Sequence, residues 1–172
     1  MLTCIEYASG LGGADTAAGK GPKLIRQSLR EDKRLIWQKN ITTDKKLNKK
    51  EAILKACQDL AREVLLARQT KKFFCVFSGD HSSAIGTWSG ASHACANKLG
   101  LIWIDAHMDS HTDKTSPSQN IHGMPLAALL GFGDSSFTGI MNTGPKILPQ
   151  NLHLHGIRSY EEEEKNLLTE LE

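Results

Sequence analysis

Two short apolar runs, each followed at once by acidic and histidine residues, constrain the fold of this chain more than any other feature. Lys72–Phe77 leads into Asp80-His81, and Leu101–Ile104 leads into the segment Asp105–Asp109. Nearly continuous apolar runs of this length are typical of strands that are buried on both faces of a parallel sheet. The carboxyl ends of such strands meet at one edge, where α/β proteins bind their ligands. We therefore expect a functional site at this edge.

The rest of the chain alternates short apolar runs with helical patterns, which predicts βαβ units. The expected further strands are Leu2–Ala8, Leu35–Ile41 and Asn151–Leu154, and the expected helices are Pro22–Leu29, Lys49–Arg68, 82–97, Met124–Leu130 and Tyr160–Glu172. We predict an α/β fold, a three-layer α/β/α sandwich with a mainly parallel sheet. With 172 residues, the whole chain 1–172 is expected to form a single domain.

Composition excludes several classes of function. A net charge of +2 is too small to indicate a nucleic-acid partner or a membrane surface. The longest apolar stretches, such as Leu99–Ile104, are far shorter than the roughly 20 residues that span a bilayer. The first residues lack the basic and long apolar regions of a secretory signal. The four scattered cysteines form no C-x-x-C pair, which indicates buried reduced thiols and a cytoplasmic protein.

The spacing of Asp105, His107 and Asp109 favours a metal site. In extended backbone, residues at i, i+2 and i+4 point to one side. Carboxylates held this close repel one another and are driven to protonate unless a positive charge lies among them. A divalent cation removes that conflict. The alternative is a hydrogen-bonded loop of helix caps and solvated acids.

Three segments resemble the manganese-dependent ureohydrolases, and within them the arginases. They are Ser78–Ser82, Asp105–Asp109 and Ser118–Leu126, the last of which contains Asn120-Ile121-His122-Gly123. The likeness extends to Gly21-Pro22 and to Gly156–Ser159, so that it covers nearly the whole chain.

The resemblance implies a site for two Mn²⁺ ions and a hydrolase that cleaves the guanidino group of arginine or a related compound, releasing urea. His81 would bind one ion, Asp105 would bridge both, His107 would bind the second, and Asp109 would return to the first. A water between two such ions supplies the nucleophile. His122 would shuttle the proton to the leaving amine, and Asp109 also takes part in catalysis.

The resemblance also implies that Ser118, Asn120 and His111 bind a small-molecule guanidino substrate. Arginases usually carry Asn where this chain has His111, and Gly where it has Gln119. These departures lie at the entrance to the substrate site, so that agmatine or another guanidino compound remains an alternative to arginine.

One part of the family pattern is missing. The family carries a later Asp-x-Asp segment with two further metal ligands, whereas this sequence has no Asp-x-Asp and no aspartate after Asp134. The acidic tract Glu161–Glu164 is interpreted as a solvated helical turn, although the resemblance aligns Glu161 with a family carboxylate that meets the substrate amine. In the family, the last strands lie between the strand that ends near His81 and the strand that ends near Asp105, so we expect a gap there. The alternatives are therefore a catalytically silent metal-binding remnant, or a subunit that needs a complementing C-terminal fragment or associates as a homo-oligomer.

Overall fold

The computed structural model describes residues 1–70, 73–96 and 98–171. The strands are β1 Leu2–Tyr7, β2 Leu35–Ile41, β3 Phe74–Ser78, β4 Leu101–Ile104 and β5 Leu152–His155. The helices are α1 Gly21–Ser28, α2 Lys49–Gln69, α3 Ser83–Ala94, α4 Pro125–Leu130, α5 Ser135–Thr138 and α6 Glu162–Thr169. Short 3₁₀ turns cover Thr16–Lys20, Ile121–Gly123 and Pro149–Asn151. The fold is α/β, as predicted.

The strands form two separate parallel sheets. The first has the order β2-β1-β3, and Thr3 pairs with Phe74 in its β1–β3 register. The second consists of β4 and β5, with Leu101 opposite Leu152. Among the described residues β3 and β4 do not pair with each other, so the expected gap in the sheet is confirmed.

Alternation along β1 explains the layers around the first sheet. Ile5 and Tyr7 are fully buried and belong to the core cluster to which α2 and α3 contribute. Glu6 points to the opposite face, where its carboxylate accepts a hydrogen bond of 2.5 Å from Arg26 of α1. Because successive residues of a strand face opposite sides, α1 and α2 cover opposite faces of the sheet. This is the predicted three-layer arrangement.

Two glycines let α3 lie directly against α2. A Cβ added at Gly86 would meet the Cys57 carbonyl oxygen at 2.4 Å, and one at Gly90 would meet that of Ala61 at 2.3 Å. Glycine usually weakens a helix, but at these two positions the missing side chain allows the two backbones to approach.

Burial of β3 and β4 differs from the prediction. Leu101 and Trp103 are buried, but Ile102 is 65% exposed and Ile104 is 81% exposed. The residues of β3 are partly buried or exposed. The interpretation as strands buried on both faces was therefore wrong for this chain, because one face of β4 is largely uncovered and the faces of β3 are covered only in part within the described residues.

Several predicted boundaries also change. The helix expected over 82–97 begins at Ser83 and ends at Ala94, and the helix expected from Tyr160 begins at Glu162. The prediction missed α5 and the turn Thr16–Lys20. Residues 71, 72, 97 and 172 lie outside the described residues, and so do the parts of these predictions that fall on them.

The four cysteines are free thiols, as expected. Cys4 and Cys57 are buried, whereas Cys75 and Cys95 are only partly buried, which corrects the expectation that all four are buried. Burial raises the pKa of the Cys57 thiol to about 12, so this cysteine is not a nucleophile at neutral pH. In the described part of the chain, no helix has the length and apolar character needed to cross a bilayer.

Candidate metal centre

The carboxyl ends of β3 and β4 bring an imidazole and two carboxylates together. The Nδ1 atom of His81 lies 2.5 Å from Oδ2 of Asp109 and 3.4 Å from Oδ2 of Asp105. One ligand atom from each of these three residues falls within 4.8 Å of the others. The two strand ends that the sequence singled out thus meet, although the strands themselves do not pair.

The ring of His81 is fixed by stacking as well as by hydrogen bonding. It lies on the indole of Trp103 with the ring centroids 4.6 Å apart. Burial alone would lower the pKa of His81, but the hydrogen bond and negative charge of Asp109, with the charge of Asp105, outweigh it and raise the pKa. The carboxylates therefore create a strongly negative site that favours a cation.

Asp105 faces both sides of the cluster. Its Oδ2 atom lies 3.4 Å from His81, and its Oδ1 atom lies 3.4 Å from Nδ1 of His107. The side chain of His107 is 61% exposed and stands apart from the group formed by His81, Asp105 and Asp109. One carboxylate thus separates a compact three-residue group from a more open imidazole.

The segment after β4 does not continue as extended backbone. Asp109 has φ of +50°, in the left-handed region, and its carbonyl accepts a hydrogen bond of 2.9 Å from the Leu126 N–H at the start of α4. The expectation that Asp105, His107 and Asp109 point to one side of an extended segment was therefore wrong. The turn at Asp109 carries its carboxylate back towards His81, while His107 remains on the open side.

Asp80 does not belong to the cluster, and its carboxylate binds backbone N–H groups instead. Its carboxylate accepts hydrogen bonds from the Gly12 N–H at 3.0 Å and from the Ser82 N–H at 2.9 Å. The Gly12 carbonyl in turn accepts from the His122 N–H at 3.0 Å. Asp80 thereby joins the glycine-rich loop after β1 to the start of α3, and that loop supports the backbone of His122.

A cavity of about 610 Å³ opens beside the cluster. Its walls include the four predicted ligands, as well as His122, Ser118 and His111, and two residues near α6, Glu161 and Glu164. Asn120 is not among the lining residues, and its Oδ1 atom accepts a hydrogen bond from Lys49 at 3.1 Å. The structure thus brings together every predicted site residue except Asn120.

The interpretation of Glu161–Glu164 as a solvated helical turn was wrong for Glu164, which packs against the loop beside this site. Glu164 is 6% exposed, and its Oε1 atom accepts from the Ser110 N–H at 3.1 Å. Glu161 and Glu164 also form a reciprocal capping box at the start of α6. The acid–x–x–Glu spacing before an apolar stretch is the signal that distinguishes these two residues from a uniformly solvated acidic tract.

The donor set fits a divalent cation. Mixed carboxylate and imidazole ligation suits Mn²⁺ among the first-row metals. The compact group of His81, Asp105 and Asp109 would offer three donors to one ion, and the second oxygen of Asp105 with His107 would offer two donors to another. Both sets of residues line the cavity.

The sequence matches the profile described as "Arginase family" over residues 9–172. It is 48% identical over 128 residues to the arginase of Bacillus caldovelox, an alignment that covers 74% of this chain and 42% of that protein. The crystal structure of arginase from Bacillus subtilis subsp. subtilis strain 168 superposes with a TM-score of 0.88 at 35% identity, covering 99% of this chain and 61% of that one. The crystal structure of Entamoeba histolytica arginase in complex with L-ornithine gives a TM-score of 0.87 at 28% identity, covering 98% and 62%.

The chain spans less than half the length of this curated relative and about three fifths of the solved arginase chains. Within that span the correspondence is nearly complete, since almost the whole chain superposes on the solved structures. The profile match includes both strand ends that form the cluster, the loop that carries His122, and α6. The chain therefore belongs to the arginase family.

Proposed function

We propose that this protein is a manganese-dependent hydrolase that cleaves the guanidino group of arginine or a related compound and releases urea. The observation that carries the proposal is the convergence of His81, Asp105 and Asp109 at the wall of a cavity that His122 also lines. The reducing conditions of the cytoplasm suit its four free thiols, and we propose that location.

The roles of the side chains follow from their positions. His81, Asp105 and Asp109 would hold one ion, while the second Asp105 oxygen and His107 would contribute to the other. Two divalent ions in such a site supply a water of lowered pKa as the nucleophile. His122 lies on a separate loop and would give a proton to the amine that leaves, since an imidazole titrates near neutral pH. Ser118 lines the same cavity and would contact the substrate.

The test combines metal content with urea release. After incubation with Mn²⁺ and removal of the excess, we expect about two ions per chain, as in other binuclear hydrolases. Urea release from L-arginine and from agmatine then identifies the preferred substrate. His107→Ala is expected to remove the more open ion and leave the other. His153→Ala in β5 is the matched control, because His153 is exposed and does not line the cavity. Metal content unchanged by His107→Ala would contradict the assigned ligands.

A second candidate is a subunit that needs a complementing fragment, or a catalytically silent metal-binding remnant. It is favoured by the break between the two sheets, since β3 pairs only with β1 and β4 only with β5 in the described residues. Ile104, next to the predicted ligand Asp105, is exposed on the open face of β4. Strands with unpaired edges recruit further strands.

Complementation separates the two candidates. The added partner is the C-terminal part of Bacillus subtilis arginase that this chain does not match. If a fragment is needed, the chain alone releases no urea, scatters light as oligomers at micromolar concentration, and gains activity when the partner binds. A monodisperse chain that releases urea alone contradicts this candidate, and a mixture that binds Mn²⁺ without turnover supports the silent remnant.

A further inference from the structure

Two histidines stand side by side on the outer face of the second sheet. His153 and His155 occupy alternate positions of β5, and both are exposed. Alternate residues of a strand point to the same face and lie roughly 6.6–6.8 Å apart along it, which is twice the rise per residue. Both imidazoles therefore leave the strand in the same direction, within reach of one ion placed between them.

The neighbouring strand leaves this histidine pair uncovered. Ile102 lies opposite His153, and Ile104 lies opposite His155 in the parallel register. The two isoleucines are 65% and 81% exposed, so this face of the sheet is open among the described residues. The Asp105 N–H donates to the His155 carbonyl at 3.0 Å, which fixes the backbone from which that ring projects.

Neither imidazole of the pair is engaged elsewhere. In the part of the chain that the structure describes, neither ring has a hydrogen-bond, ion-pair or stacking partner. His81 differs in this respect, because its ring contacts Asp109 and stacks on Trp103. Rings without other partners can rotate about their side-chain torsions and turn one nitrogen each towards a shared ion.

The chemistry of the pair selects the kind of ion. Imidazole suits Zn²⁺, Cu²⁺ and Ni²⁺, whereas Mn²⁺ lies lowest in the affinity order of the first-row divalent metals. Neither β4 nor β5 carries a carboxylate that could add negative charge to this face. The pair therefore retains Mn²⁺ only weakly, and His153→Ala stays a suitable control for the Mn²⁺ content of the other centre.

We propose that His153 and His155 form a bidentate site for a divalent cation of the Cu²⁺, Ni²⁺ or Zn²⁺ class. The two imidazoles hold the ion, and water occupies its remaining coordination positions. The site is separate from the candidate metal centre, because neither histidine lines the cavity at the ends of β3 and β4. The proposal is therefore independent of the proposed hydrolase activity.

The experiment is calorimetric titration of the metal-free protein with Ni²⁺. This ion favours imidazole and, unlike Cu²⁺, does not oxidise free thiols such as those of this chain. His153→Ala, His155→Ala and His155→Gln are each expected to weaken the binding of one Ni²⁺ by about 10²-fold, because a second imidazole in the same molecule acts at a high effective concentration. The glutamine variant keeps a polar side chain of similar size but lacks the ring nitrogen.

Two comparisons show whether the pair acts as one site. The double variant His153→Ala with His155→Ala is expected to lose no more than either single variant, because both remove the same chelate. His93→Ala is the matched control, since His93 is exposed and is the only histidine of α3. Its Ni²⁺ affinity is expected to stay within about twofold of wild type, because a lone imidazole gains no effective concentration from a neighbour.

A further variant separates this site from the candidate metal centre. When His107→Ala removes a predicted ligand of that centre, the loss caused by His153→Ala is expected to keep its size, because the two sites share no ligand. Disappearance of the loss in that variant would place the ion in the other centre and overturn the proposal. Wild-type Ni²⁺ affinity in both His153→Ala and His155→Ala, or a loss in only one of them, would also refute chelation by the pair.

Discussion

Replacement of Asp109 by Asn tests the metal centre most directly. Asn has the size of Asp and tolerates the left-handed backbone that this position adopts, so the fold is retained. The change removes one negative charge from a carboxylate that is 12% exposed and lies 2.5 Å from His81. It leaves Asp105 and the other donors in place. A loss of Mn²⁺ affinity can therefore be assigned to the charge and the ligand oxygen.

The size of the effect follows from Coulomb's law. Two unit charges 4 Å apart in a medium of effective dielectric constant 20 interact by about 4 kcal/mol, and the double charge of Mn²⁺ raises this to about 8 kcal/mol. Partial solvent access and the remaining amide oxygen reduce that figure. We therefore expect Asp109→Asn to weaken Mn²⁺ binding by about 10²–10³-fold, since each 1.4 kcal/mol is about tenfold.

The assay is calorimetric titration of the metal-free protein with Mn²⁺. Asp113→Asn is the matched control, because it removes the same charge from an exposed residue further along the same loop. Its effect is expected to stay below about threefold, since salt screens exposed charges. Affinity within twofold of wild type for Asp109→Asn would refute the assignment of Asp109 as a ligand. An equal loss of Mn²⁺ affinity in Asp113→Asn would mean that the effect comes from the net charge of the protein and not from a ligand.

Three further predictions concern catalysis, packing and pH. His122→Ala is expected to leave Mn²⁺ content unchanged and to lower urea release by about 10²–10⁴-fold in whichever form is active, as measured by elemental analysis beside a urea assay; loss of metal would make His122 a ligand instead. Gly86→Ala is expected to destabilise the fold by about 1–3 kcal/mol in urea denaturation, because the new Cβ would lie 2.4 Å from the Cys57 carbonyl oxygen; an unchanged midpoint would mean that α2 and α3 can separate freely. Burial alone would raise the pKa of Asp134, but its contacts with Lys50 and neighbouring hydrogen bonds lower it below 3.8. The ion pair adds less than about 1 kcal/mol to the free energy of unfolding because Lys50 is exposed. This contribution is present above pH 3.8 and is lost as the pH falls through the lowered pKa of Asp134. The free energy of unfolding should therefore change less between pH 5 and pH 2 in Lys50→Ala than in wild type, and an equal change would count against the ion pair.

Much of the fold could be predicted because the patterns involved are local. The period of the apolar residues in Lys49–Arg68 predicted α2 almost to the residue, and the apolar run Leu101–Ile104 predicted β4. The placement of acids and histidines directly after strands predicted the edge at which the site lies. Parallel strands with helices on both faces left few other arrangements.

The site was harder to predict because it depends on contacts between distant segments. His111 meets Glu161 across 50 positions of sequence, and only the packing of α6 against the loop after β4 brings them together. The turn at Asp109 separates it from His107, although both share a regular spacing with Asp105. No periodicity reports such a turn, since a single residue with positive φ leaves the pattern of residue types unchanged.

Lys146 illustrates the same limit outside the site. Its side chain is buried, and its ammonium donates to the carbonyls of Thr138, Asn142 and Gly144 at 2.6–2.8 Å. A lysine in a loop is expected to face solvent. Three convergent backbone carbonyls make burial possible, because they replace the hydrogen bonds that the ammonium would make with water.

The sequence by itself determined the strands, most of the helices and the residue types at the carboxyl ends of β3 and β4, because these are set by local periodicity and by chain direction. Only the tertiary structure decided that one face of β4 is open, that Asp109 turns back towards His81, and that His111 meets Glu161. Hydrogen-bond pairing between strands and the partner of a buried side chain depend on which distant segments are present to pack. That information resides in the assembled fold and not in any short stretch of the chain.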